Sequence, residues 1–153
     1  MASAPDRAGR RDRAHDDHIR ARRAGRRLAL AAVFEADFGQ RTADAILERH
    51  LALEQDAVAS ALAREIVSAV VLHRDTLDAE IGRVAPQYPV VQLARMDRAL
   101  LRCGLGEMLH SAATPARVAI AEWVELARTY SGDPMRRLMN GVLGRVTRDP
   151  SGT

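Results

Sequence analysis

Apolar residues recur along most of this chain at spacings of three and four, and no stretch alternates with period two. That pattern predicts helices burying one face each, and no strands. From about Leu28 onward alanine and leucine dominate and β-branched runs are short, which agrees. Helical character can begin near Ile19, because alanine and arginine are good helix formers. Leu30, Phe34 and Phe38 then fall at i, i+4 and i+8 and define one buried face, with Gly39 as the stop. Thr42 or Asp44 caps a second helix to about Leu53, with Ile46 and Leu47 inward. Asp56 caps a long third helix whose stripe is Val58, Leu62, Ile66, Val70, Leu77 and Ile81.

The clearest break is Pro86-Gln-Tyr-Pro89, since proline removes a donor and restricts the residue before it. It predicts a boundary between helical subdomains at 19–85 and 86–153. A fourth helix carries Leu93, Met96, Leu100, Leu101, Leu105, Met108 and Leu109 and is apolar on two faces. Gly104 and Gly106 inside it cost about 1 kcal/mol each in helix propensity, so close helix–helix approach is expected there. Thr114-Pro115 reads as a cap followed by proline at the first helical position. The fifth helix runs through Tyr130 with Val118, Trp123, Leu126 and Ala127 on its apolar side. Ser131-Gly132-Asp133-Pro134 is a turn into a last helix with Leu138, Met139, Val142, Leu143 and Val146, stopped at Asp149-Pro150. Residues 1–18, with Pro5, Gly9, mixed charge and no apolar periodicity, are expected to be disordered. The expected fold class is all-α: two small packed helical bundles behind an arginine-rich N-terminal arm.

Composition narrows the function. At 153 residues and 47% apolar, the chain can bury a core, so wholesale disorder is excluded. No apolar run approaches the roughly 20 residues that cross a bilayer, and the N-terminal arginines precede no apolar signal segment. A cytoplasmic location without membrane partners is expected. Cys103 is the sole cysteine, which excludes an internal disulfide and a cysteine-clustered zinc site. All 23 basic residues are arginine. Residues 1–27 hold nine of them against four aspartates, a net of +5, whereas the remainder is net −2. Such an arm suits nucleic acid, because guanidinium pairs bidentately with phosphate and stacks on bases.

Catalytic and metal constellations are weak. Gly104-Leu105-Gly106 and Asn140-Gly141-Val142-Leu143-Gly144 lack both a preceding strand and a P-loop lysine, so they read as helix-packing glycines. His15-Asp16-Asp17-His18 has ligand-type residues but no third partner region, and no metal or cofactor is expected. Cys103 sits among leucines as a small core residue, and Glu122 with Glu125 reads as a solvated face. Three features stand out. Arg20, Arg22, Arg23, Arg26 and Arg27 crowd the start of a helix, where positive charge opposes the macrodipole. Asp97, Arg98 and Arg102 interrupt an apolar helix, with the two arginines at i, i+4 able to clasp phosphates. Asn140 interrupts the last helix.

Together these segments resemble the NusB family of transcription antitermination factors. The resemblance spans about Arg20 to Val146, and its most specific parts are Met96–Arg102 with Glu107, Thr114–Ile120 with Glu122, and Asn140–Gly144. It implies two packed bundles, no enzymatic activity, and binding of boxA RNA from ribosomal leader transcripts. NusE, a ribosomal protein, is the implied partner, within an RNA polymerase antitermination complex. RNA contact is implied for Arg20, Arg22, Arg23, Arg26, Arg27, Phe34 and Asn140. A NusE-facing or RNA-flanking surface is implied for Asp97, Arg98, Arg102 and Glu107; of these, Arg98 and Arg102 are assigned to RNA and Asp97 and Glu107 to the partner. The chain departs from the family pattern at Leu138, where phenylalanine is usual, at Trp123, where a small residue is usual, and at Ala121, where asparagine is usual. Leucine at 138 offers no π-face for a base. Two other readings remain: the detached domain of a ribosomal RNA cytosine methyltransferase, which would need a catalytic domain beyond Thr153, and a helical protein–protein adaptor. The broad apolar fourth helix permits a homodimer without requiring one.

Overall fold

A computed structural model describes residues 4–54 and 56–151; Met1 to Ser3 of the expected disordered arm lie outside the described residues. Among the described residues the secondary structure is helical throughout: α1 (Ala4–Ala36), α2 (Ala43–Leu51), α3 (Ala57–Val84), a 3-10 turn (Val90–Gln92), α4 (Arg95–His110), α5 (Ala116–Tyr130) and α6 (Asp133–Arg148). α1 packs on α2, α3 and α4, while α4 also meets α3, α5 and α6, so α4 lies between the two halves. One apolar cluster runs through both halves, from Ala29 and Leu30 through Ile66, Leu77 and Leu101 to Met139 and Val146.

The caps explain several boundaries. The Thr42 hydroxyl accepts from the Ala45 amide, and the Asp56 carboxylate accepts from the amides of Val58 and Ala59. Gly104 is a close-approach glycine: a Cβ there would sit 3.1 Å from Trp123 Cγ. Gly106 faces Val70 and Ala69 with more room: a Cβ there would meet them at 3.4 and 3.5 Å, ordinary van der Waals contact.

Four expectations change. α1 starts at Ala4 rather than near Ile19, because alanine and arginine sustain a helix even without an apolar stripe. Its last turn ends at Ala36, so Phe38 lies beyond the helix and is 53% exposed while Leu30 is buried. Thr114 caps no helix; its hydroxyl points to Glu107 instead. Gly141 is not a packing glycine, since a Cβ there would meet nothing within 4 Å.

Candidate nucleic-acid interface

Five arginines of α1, from Arg20 to Arg27, divide by helical phase. Arg26 turns inward and is 2% exposed. Its Nε and Nη2 donate to Glu107 Oε1 and Oε2, both at 2.8 Å, a bidentate pair between α1 and α4. The Glu107 carboxylate is fully buried and also accepts from Trp123 Nε1 at 2.8 Å and from the Thr114 hydroxyl at 2.9 Å. Burial alone would raise its pKa; the Arg26 guanidinium, then the indole N–H and the hydroxyl, outweigh that and hold it below the usual carboxylate range. Arg22 is half-buried and donates to Thr114 Oγ1 at 2.5 Å, extending the same network. Two arginines expected to face RNA therefore anchor α1 to the body.

The other three face solvent. Arg20 pairs only with Asp17 on its own helix, at 3.3 Å with both side chains 73% exposed. Arg23 lies on Glu122 of α5 at 3.1 Å, and that carboxylate raises its pKa. Arg27 is exposed and forms no ion pair among the described residues. Upstream, Arg7, Arg10, Arg11 and Arg13 are exposed as well. Exposed pairs of this kind are worth about 0–1 kcal/mol, so phosphate can displace them at little cost. Between α1 and α5 runs a groove of about 390 Å³ with Arg23, Arg27, Glu122 and Tyr130 on its walls. It continues into an apolar groove of about 370 Å³ lined by Leu30, Phe34, Phe38, Met96 and Tyr130. Phe34 and Phe38 meet edge to face at 5.4 Å, and the Arg95 guanidinium lies 4.5 Å over the Phe38 ring.

With this arrangement in view, the NusB family model matches residues 23–148. The chain belongs to the NusB family. It is 36% identical over 128 residues to the transcription antitermination protein NusB of Dehalococcoides mccartyi, covering 83% of this chain and 90% of the relative. It is 40% identical over 121 residues to that of Chloroflexus aggregans, covering 77% and 81%. Among solved structures, NusB of T. maritima superposes with a TM-score of 0.77 at 27% identity, covering 84% of this chain and 91% of that one. A complex of antitermination factors NusB and NusE with double-stranded RNA gives 0.73 at 20% identity, covering 84% and 97%, a likeness of fold.

Further NusB-type positions are redistributed by the structure. Arg102 is 5% exposed and donates from Nε and Nη2 to Asp78, both at 2.9 Å. Arg98 pairs with Asp37 and donates to the carbonyls of Val91 and Leu93 at 3.1 Å. Arg98 and Arg102 are drawn to different acids, Asp37 just after α1 and Asp78 of α3, so the two side chains form no shared phosphate clasp. Glu107, implied to face a partner, lies on no surface, because it neutralises the one deeply buried guanidinium of α1. Asp97 does remain at the surface, half-buried, accepting from the Ser131 hydroxyl at 2.7 Å. Asn140 is exposed on α6, beside a pocket of about 450 Å³ that includes Gly141, Arg137, Arg145 and Tyr88.

Trp123 and Thr114 were not expected in the network. The available signal is chemical: a buried tryptophan needs a partner for its N–H, and a glutamate amid leucine, cysteine and glycine needs a donor. Each fills the other's need.

Proposed function

We propose that this NusB-family chain is a transcription antitermination factor acting in the cytoplasm, binding boxA RNA together with NusE within an RNA polymerase complex. The supporting observation is the split of the α1 arginines. Arg26 and Arg22 fix the helix to the body through Glu107 and Thr114, which leaves Arg20, Arg23 and Arg27 on a fixed outward face. Rigid presentation of guanidiniums lowers the ordering cost of gripping a phosphate backbone. Phe34, at the edge of that face, and Asn140 on α6 supply base contacts in this reading, while Leu138 contributes only apolar surface.

NusE is assigned to the surface around Asp97, which adjoins the groove of Phe34, Phe38 and Met96. An aromatic floor with the Glu35 carboxylate in its lining and Asp97 beside it suits a protein segment bearing an apolar anchor and a cation. The two subdomains, 19–85 and 86–153, are read as the two small bundles of the family, hinged on Pro86–Pro89. The role is that of a binder, not a catalyst: the Cys103 thiol is fully buried, and burial pushes its pKa up, out of the range of a nucleophile.

Titration of boxA-like and scrambled RNA, with and without NusE, tests this reading. Preference for boxA-like RNA, strengthened by NusE, is the expected result. Equal affinity for both RNAs, unchanged by NusE, would leave a helical adaptor with a non-specific basic arm.

A further inference from the structure

We propose that the cavity between the α1–α2 turn and α3 binds a phosphate monoester dianion through Arg41, Arg74 and Arg102. The cavity has a volume of about 410 Å³ and apolar walls from Val33 and Val70. At its inner end, the Arg102 side chain is 6% exposed, and its Nε and Nη2 are taken by Asp78. Among the described residues its Nη1 makes no hydrogen bond and has only a long ion pair, to Asp37 Oδ1 at 3.9 Å. A buried guanidinium with an unused donor is a ready partner for an oxyanion.

The charge balance fixes the class of ligand. Arg102 is matched by Asp78, and Asp37 is matched by Arg98, so those four groups are neutral in sum. Arg41 and Arg74, both exposed and lining the same cavity, have neither ion pair nor side-chain hydrogen bond among the described residues. Two uncompensated guanidiniums therefore border a cavity that holds a third donor. That surplus of two matches a phosphate monoester, which carries about −1.5 to −2 at neutral pH, better than the single charge of a backbone diester. The place is also distinct from the arm face, since Val33 lies about 120° around α1 from Arg27.

The test is titration of the full-length protein with inorganic phosphate, AMP and adenosine at constant ionic strength, followed by heteronuclear NMR. Phosphate and AMP are expected to shift resonances of Arg41, Arg74 and Arg102, and adenosine is expected to leave them unmoved. Tighter binding of AMP than of phosphate identifies an ester as the source; equal binding identifies free phosphate. Removing two charge-assisted contacts in Arg41→Gln/Arg74→Gln should weaken either ligand at least roughly tenfold. The melting temperature and the affinity for RNA should stay unchanged. No binding of phosphate or AMP at millimolar concentration, or affinity that survives the double substitution, would overturn the proposal. So would loss of RNA affinity in that variant, which would make the cavity part of the RNA path.

Discussion

Arg26 and Glu107, 81 residues apart in the chain, close a bidentate ion pair inside the protein, with both hydrogen bonds at 2.8 Å. Removing one partner of a buried pair leaves the other charge without compensation, which costs about 3–5 kcal/mol. Glu107→Ala should therefore lower the melting temperature by about 10 °C, given about 2–4 °C per kcal/mol for a domain of this size. Thermal unfolding followed by circular dichroism checks this. A shift no larger than that of an exposed pair such as Arg64→Ala, whose partner is Glu48 at the surface, would show that the pair does not hold α1.

Gly104 and Trp123 form a matched contact, since a Cβ at 104 would lie 3.1 Å from Trp123 Cγ and 3.3 Å from Met139 Sδ. The indole cannot retreat without losing its hydrogen bond to Glu107. Gly104→Ala is expected to be destabilising by about 1–3 kcal/mol despite alanine's better helix propensity. A Trp123→Ala background removes the Cγ contact but leaves Cβ at 3.2 Å and Met139 Sδ at 3.3 Å, so the same substitution should cost less there without becoming neutral. Chemical denaturation of the four proteins of this cycle gives both costs directly.

The last turn of α4 carries a pH-dependent element. His110 stacks on His73, at the kink of α3, with ring centroids 3.9 Å apart. Burial first, and then the neighbouring His73, lower the pKa of His110. The unfolded chain therefore binds a proton at residue 110 that the folded protein resists, and stability falls as pH drops below about 6.5. The Glu107 pKa is lowered as well, and its contribution is lost only as pH falls through and below the usual carboxylate value of about 4.3. His110→Gln should flatten the upper window of the melting-temperature profile and leave the lower one intact. An unchanged upper window would remove His110 as its source.

Asp97 is the test of the partner surface. Its hydrogen bond to Ser131 is exposed, so its loss costs about 1 kcal/mol or less. Asp97→Arg should weaken NusE binding at least about tenfold with little change in melting temperature. Calorimetric titration with NusE checks this, and unaltered affinity would move the partner surface elsewhere.

The helical class, the caps at Thr42 and Asp56, the close approach at Gly104 and the burial of Cys103 are all legible in the sequence. Each depends on neighbours within a turn or two, or on an apolar period that repeats over several turns. The division of the arginines is not legible in that way. Arg23 and Arg26 differ by three residues, and only the arrival of Glu107, Thr114 and Trp123 from α4, α5 and their connection determines which one is buried. Arg98 and Arg102 are misread for the same reason: Asp37 and Asp78 approach them from α1's end and from α3. Phe38 fits an apolar period that the helix itself does not extend far enough to use. The onset of α1 is missed because an alanine- and arginine-rich segment can be helical without any face to bury.

The most direct test of the central claim is the salt dependence of boxA RNA affinity for the intact protein and for Arg20→Gln/Arg23→Gln/Arg27→Gln. Truncation is a poorer probe, because removing residues through Arg27 also removes the Arg26 anchor. Single-stranded RNA gives a slope of about −0.7 in log affinity against log salt per phosphate neutralised. Arg20, Arg23 and Arg27 together contribute about −2 to the slope of the intact protein, and the triple variant should lose that share. Its melting temperature should be unchanged, since the three side chains are surface groups. Equal slopes and equal affinities for the two proteins would contradict the assignment of the outward face of α1 to RNA.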